Sequence, residues 1–169
     1  MTAPLSPTTF SPELSQEFGL QIYLKPEIHS ATGSYKDRLG PAAIAEAIRA
    51  GATKVVVTSS GNQGLAIAHA ARAAGIPCLI LATQHILPVY RETLRDLGAE
   101  LQTVPDMKAR TVALHEKIKE GWFPLSVAPE DRGQRTQPGK SGYAAIAREI
   151  VDALGAAPDF LILPVCFGD

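Results

Sequence analysis

Short apolar runs alternate with longer amphipathic stretches along most of this chain. Lys54-Val55-Val56-Val57-Thr58, Cys78-Leu79-Ile80-Leu81 and Phe160-Leu161-Ile162-Leu163-Pro164-Val165 are the clearest runs. Rich in aliphatic residues and lacking a polar alternate, they predict strands covered on both faces. Leu101–Val104 and Trp122–Val127 predict two more strands, and the weak alternation of Gln21–Lys25 a short one. Between them, Pro41–Ala50, Leu65–Ala74, Pro88–Leu97, Met107–Glu120 and Tyr143–Leu154 predict helices. Proline at a helix start costs nothing, because its missing N–H has no partner there. On the Met107 helix, Met107, Thr111, Leu114 and Ile118 fall on one face and predict its buried side. Gly51, Gly75, Gly98 and Gly121 close four of the helices at spacings of 24, 23 and 23 residues. That repeat is one strand, one helix and two loops long, and predicts an α/β fold with an open parallel sheet and flanking helices. Residues 1–12 hold Ser6-Pro7, Thr8-Thr9 and Ser11-Pro12 and predict an irregular arm, and Arg132–Ser141 predicts a loop.

Composition narrows the class. Lys+Arg 16 against Asp+Glu 17 leaves no basic surface for phosphate backbones or an anionic membrane, so no nucleic-acid or membrane partner is expected. A 46% hydrophobic share in 169 residues argues against disorder, and two cysteines cannot build a disulfide scaffold. No apolar run reaches 18 residues, and residues 1–12 lack Lys, Arg and an apolar segment, so a cytoplasmic protein without a secretory signal is the expectation.

In open α/β sheets ligands bind at the carboxyl ends of strands, and three segments compete for that place. Thr58-Ser59-Ser60-Gly61-Asn62-Gln63-Gly64 joins a strand to a helix. Its glycines let the backbone approach a ligand, and the helix start offers N–H groups to an anion. It could equally be a plain turn with Ser or Asn as the cap. The second segment is Thr32-Gly33-Ser34-Tyr35-Lys36-Asp37-Arg38. A lysine there is a nucleophile for a carbonyl if desolvated, or a solvated side chain paired to Asp37. The third, Gly139-Lys140-Ser141, resembles the end of a phosphate loop, but the preceding glycine, Gly133, lies one residue too far away. His29, His69, His85 and His115 show no metal-ligand spacing, so no metal is expected. Cys78, within a strand, reads as core; Cys166 follows the last apolar run.

Taken together, Lys25-Pro26-Glu27, Ala31–Arg38 and Ser59–Gly64 resemble the tryptophan-synthase-β-like family of pyridoxal-phosphate enzymes. Gly142–Ile150 and Leu163-Pro164-Val165 extend the resemblance, which is nearest to threonine synthases and serine/threonine dehydratases. The resemblance implies pyridoxal 5'-phosphate as cofactor, and Lys36 as the Schiff-base residue and proton shuttle. It implies Asn62 on the cofactor's ring oxygen, Ser59, Ser60, Gly61 and Gln63 around the substrate carboxylate, and Ser60 as a proton-handling serine. It places Cys166 and Gly168 at the start of the phosphate loop. Gln63 stands where sulfhydrylases carry threonine, which argues against a cysteine synthase. The reaction implied is β- or γ-elimination or replacement on an amino acid.

The same resemblance divides the chain. Residues 54–125 form a Rossmann-like smaller lobe. Residues 1–53, with the lysine segment, and 126–169, ending at the phosphate loop, belong to part of a second, larger α/β lobe. The expectation is the amino-terminal half of a lyase, a fragment with weak or no activity alone, forming a homodimer or pairing with a complementing chain. The alternatives are a non-catalytic remnant or subunit, and a nucleotide-binding Rossmann module.

Overall fold

A computed structural model describes residues 6–126 and 137–164. The arm is more regular than its sequence suggests. Strand β1 (Thr9–Phe10), helix α1 (Pro12–Phe18) and strand β2 (Tyr23–Leu24) form a small unit, with Thr9 opposite Leu24 and Phe10 opposite Tyr23 in antiparallel register. Pro12 occupies the first turn of α1, following an extended Ser11. Strand β2 lies within the short strand expected at 21–25, whereas β1 is too short to show alternation and only the tertiary pairing reveals it.

Next come α2 (Leu39–Arg49), β3 (Val55–Thr58), α3 (Asn62–Ala74), β4 (Cys78–Thr83), α4 (Pro88–Asp96), β5 (Glu100–Val104), α5 (Met107–Lys119), β6 (Phe123–Pro124) and α6 (Ala144–Leu154). The four later strands make one parallel sheet in the order β5-β4-β3-β6. The chain winds outward from β3 through β4 to β5, then returns to the other side of β3. The strand order therefore reverses between β3 and β6, which is where an open α/β sheet opens a crevice beyond its carboxyl ends.

The continuous apolar runs follow from burial on both faces. Val55, Val57, Ile80 and Ala82 join Leu39, Ile44, Ile67 and Leu94 of α2, α3 and α4 in one core. Val56, Leu79 and Leu81 point the other way, onto Ala113 and Leu114 of α5. Successive strand residues face opposite sides, so no position in β3 or β4 is left for a polar alternate. Each fully buried Val, Leu or Ile contributes roughly 1.5–3 kcal/mol relative to exposure. Helix α5 buries Ala113 and Leu114, while Met107 and Ile118 are exposed, so its inward stripe is narrower than the expected face. The four regularly spaced glycines all take positive φ, between 68° and 85°, ending their helices as the spacing predicts.

One glycine has a different reason. A Cβ on Gly40 would fall on the Ala66 carbonyl, so α2 crosses α3 nearly backbone to backbone. That crossing sets where the residues just before α2 lie relative to the start of α3.

The last apolar run departs from expectation. Residues Phe160 to Pro164 form no strand, and Phe160 and Ile162 are 85% and 93% exposed. A strand is held by a ladder to its neighbours, and no described strand lies alongside this one. Val165 and Val127, the ends of two predicted strands, lie outside the described residues, as does the first half of the predicted loop at 132–141.

Candidate functional site

Lys36 lies in a short 3-10 turn, Tyr35–Arg38, that leads into α2 and packs against α3. Three sets of contacts hold that turn. Asp37, 4% exposed, accepts from the Thr32 N–H at 2.7 Å and the Thr32 hydroxyl at 2.6 Å, which closes the preceding loop on itself. Each Asp37 oxygen thereby accepts one bond from Thr32. Arg38, 2% exposed, donates from Nε to Glu27 at 2.6 Å and from Nη1 and Nη2 to Glu149, each at 2.7 Å. Lys25 donates to Glu149 at 2.6 Å, and the Ser6 hydroxyl to Glu27 at 2.5 Å. Lastly, the Lys140–Tyr143 turn presses on the start of α2, where a Cβ on Gly142 would fall on the Arg38 carbonyl.

This cluster joins four distant pieces of chain through one buried guanidinium. A buried charge is tolerable only when paired and hydrogen-bonded, and Arg38 has both. Donation from Arg38, aided by Lys25, outweighs burial and holds the Glu149 carboxyl at about 2. Burial pushes Glu27 up, but the donors from Arg38 and Ser6 together bring it below its ordinary value. Hydrogen bonds to Glu149, then to Glu27, keep Arg38 charged against the cost of burial.

The Lys36 ammonium lies over two aromatic faces, 4.9 Å from the centroid of Tyr35 and 5.4 Å from that of Tyr143. The rings are themselves 5.4 Å apart and tilted by 43°. An aromatic face attracts a cation and restricts where it can go, so Nζ is held near one place.

Ser59, Ser60 and Gly61 follow β3, at the point where strand order reverses, and Asn62, Gln63 and Gly64 open α3. The cap of α3 is Gly61, with no side-chain cap from Gly61 itself. Ser59 supplies the acceptor instead: its Oγ takes N–H bonds from Gly61 at 3.2 Å and Gly64 at 3.0 Å. The N–H groups of Asn62 and Gln63, in the first turn, have no carbonyl four residues back within the helix. A Cβ on Gly61 would meet nothing within 4 Å, so the backbone there faces open space. Ser60 Oγ accepts from the Thr83 N–H at 3.2 Å, Tyr90 Oη donates to Asn62 Oδ1 at 2.9 Å, and the Thr58 N–H donates to Ser126 Oγ at 2.8 Å.

The expected site residues Lys36, Ser59, Ser60, Gly61, Asn62 and Gln63 are thus carried by two segments packed against one another through α3. Cys166 and Gly168 lie outside the described residues. Cys78 is buried in β4, and burial, reinforced by Glu100, pushes its thiol up to about 12. At Gly139-Lys140-Ser141 the N–H a phosphate would need, that of Gly139, donates to Glu46 at 3.0 Å. Thr83, Tyr90 and Ser126 join the site only in three dimensions and no motif in the sequence marks them, whereas Tyr143 belongs to the Gly142–Ile150 segment of the resemblance. No group of three or more potential metal ligands occurs among the described residues. No helix among them is long and apolar enough to cross a membrane.

An amine over two aromatic rings, two first-turn N–H groups without an intrahelical acceptor and a glycine facing open space fit the aldehyde and carboxylate chemistry of a pyridoxal-phosphate site. Comparison with known proteins agrees. The family model for pyridoxal-phosphate dependent enzymes matches residues 3–169, and the chain belongs to that family. It is 30% identical over 153 residues to a threonine synthase of Halalkalibacterium halodurans, covering 90% of this chain and 42% of the relative. A serine dehydratase-like protein of Mus musculus is 29% identical over 163 residues, covering 95% and 48%. The crystal structure of a pyridoxal 5'-phosphate-dependent aspartate racemase superposes with a TM-score of 0.77 at 26% identity, over 89% of this chain and 46% of that one. The chain spans less than half the length of these relatives. Pyridoxal phosphate is the cofactor of the family, and the family assignment displaces the nucleotide-module alternative.

Proposed function

We propose that this chain carries the amine and carboxylate side of a pyridoxal-phosphate lyase site acting on an amino acid, of the threonine-synthase or dehydratase kind. The observation that carries the reading is that Lys36, over the Tyr35 and Tyr143 rings, sits in a turn packed against α3, the helix that the Ser59–Gly64 segment opens, with Gly61 facing open space. The bound cofactor supplies an electron sink for the bonds around the amino acid's α-carbon. Lys36 holds the cofactor aldehyde through Nζ and, once displaced, moves the α-proton. The N–H groups of Asn62 and Gln63, the Gln63 side chain and Gly61 bind the substrate carboxylate. Asn62 donates to the cofactor's ring oxygen. Ser60 is the second proton-handling group, with the Thr83 N–H already on its oxygen. Ser59 shapes the loop and supports the carboxylate site through it. Cys166 and Gly168 are proposed at the phosphate. Residues 54–125 are proposed as the smaller lobe, with 1–53 and 126–169 contributing to the larger.

The test is to titrate the purified chain with pyridoxal phosphate and follow the visible absorption of the lysine adduct. A saturable band lost in Lys36→Ala is expected; no band, or one indifferent to that substitution, overturns the reading. Since the chain spans less than half of its relatives, these 169 residues taken alone are proposed to turn over amino acids weakly or not at all. Robust elimination or replacement by them would refute that.

The exposed Phe160–Leu163 run favours a second reading, in which the functional form completes its sheet with another copy or a complementing chain. Light scattering decides it: a monodisperse monomer at micromolar concentration, unchanged by added partner fragments, counts against it.

A further inference from the structure

Two groups, one at the end of β4 and one in α4, reach back to the Ser60–Asn62 segment that leads into α3. One is the Thr83 N–H on Ser60. The other is Tyr90, in the first turn of α4, whose hydroxyl donates to Asn62 Oδ1 at 2.9 Å across 28 residues of sequence. The Tyr90 ring packs against the main core, so its hydroxyl is presented from a fixed base. Asn62 itself is exposed. A hydrogen bond between exposed groups adds little to folding, because water competes for both partners. Its larger effect is on orientation. A carboxamide has one acceptor end and one end with two donors. With Oδ1 turned to Tyr90, the Nδ2 group faces away, with both donors available.

We propose that Tyr90 is a positioning residue that sets the Asn62 amide with Nδ2 toward the cofactor's ring oxygen. The proposal rests on the reading of Asn62 given above. That oxygen carries negative charge in the bound cofactor and takes donors only; an Asn62 turned the other way would set oxygen against oxygen. Tyr90 touches neither cofactor nor substrate and acts through Asn62 alone.

Tyr90→Phe keeps the ring and its packing and removes one oxygen. The thermal midpoint of the free chain is expected to stay within a degree or so, as for surface changes away from the core. In the free chain, the Asn62 side-chain NH2 resonances, assigned by comparison with Asn62→Ala, are expected to shift in Tyr90→Phe. The pyridoxal-phosphate dissociation constant is expected to rise about fivefold, the scale of one hydrogen bond, and the absorption maximum of the bound cofactor to move. In an Asn62→Ala background, Tyr90→Phe is expected to change neither, since coupled residues are not additive. Lys36-dependent binding that Tyr90→Phe leaves unchanged in affinity and absorption maximum overturns this proposal while sparing the site reading. So does an equal effect of Tyr90→Phe with and without Asn62. If the wild-type chain shows no Lys36-dependent band, the site reading itself fails and this proposal fails with it. A drop in thermal midpoint with unmoved Asn62 resonances assigns Tyr90 a structural role and overturns the proposal too.

Discussion

Ser59 caps α3 from three residues before the first residue of the helix, accepting N–H bonds from Gly61 and Gly64. Ser59→Ala is expected to lower stability by about 1–2 kcal/mol, the usual cost of a lost cap. Urea denaturation checks it, with a lower midpoint and an unchanged slope. The acidic side of the buried cluster makes a second residue-scale prediction. Glu149 and Glu27 both have folded values below the ordinary 4.5. Depressed carboxyls contribute stability that is fully present above their unfolded values and lost as pH falls through the folded ones. The loss should therefore run from just above 4.5 down to about 2, where Glu149 titrates. Urea midpoints measured between about pH 6 and pH 3 are expected to fall more steeply for wild type than for Glu149→Gln, which has one fewer carboxyl to protonate. Equal slopes would mean that Glu149 is not held as described. The motif residues Lys25, Glu27 and Arg38 were legible in the sequence, but their reason was not: Arg38 pairs with Glu27 and meets Lys25 at Glu149, more than a hundred residues away.

Two glycines illustrate the element scale. Gly40 lets α2 touch the Ala66 carbonyl, whereas Gly61 faces open space with negative φ. Gly40→Ala is expected to force α2 and α3 apart and cost about 1–3 kcal/mol, as overpacking does. Gly61→Ala is expected to leave the thermal midpoint nearly unchanged and to weaken amino-acid binding, because its Cβ would occupy the cradle instead of the core. Calorimetry of both variants, with and without ligand, checks the pair; a Gly61→Ala chain that unfolds early would show the loop to be structural. The parallel strands and their helices were readable because burial on both faces removes polar residues from β3 and β4. Strand β1 was not, since two residues leave no period to detect, although its partner β2 falls within the alternating stretch at 21–25.

For the whole molecule, the apolar run after α6 shows where local pattern and tertiary context part. Phe160 and Ile162 are as apolar as any core strand, yet 85% and 93% exposed. Ile162→Lys is expected to change the stability of the isolated chain by no more than about 0.5 kcal/mol, as at other exposed sites. The same change should abolish any association that buries this run, which sedimentation at several concentrations measures. A large destabilisation would mean that Ile162 is already packed within the monomer.

By itself the sequence determined the elements whose cause is local: apolar runs for buried strands and glycines for helix ends, and it offered the lysine and Ser-Gly-Asn segments as candidates for the chemistry. Hydrophobic period and φ preference act over a few residues, so they are written in the order of the chain. Only the tertiary structure decided what faces what. It put the reversal of strand order beside Ser59–Gly64, seated Lys36 against Tyr143, gathered Glu27 and Glu149 on Arg38 with Lys25 on Glu149, and brought Tyr90 to Asn62. Those contacts join residues tens to more than a hundred positions apart. They depend on helix crossings such as Gly40 on Ala66, which no local pattern encodes.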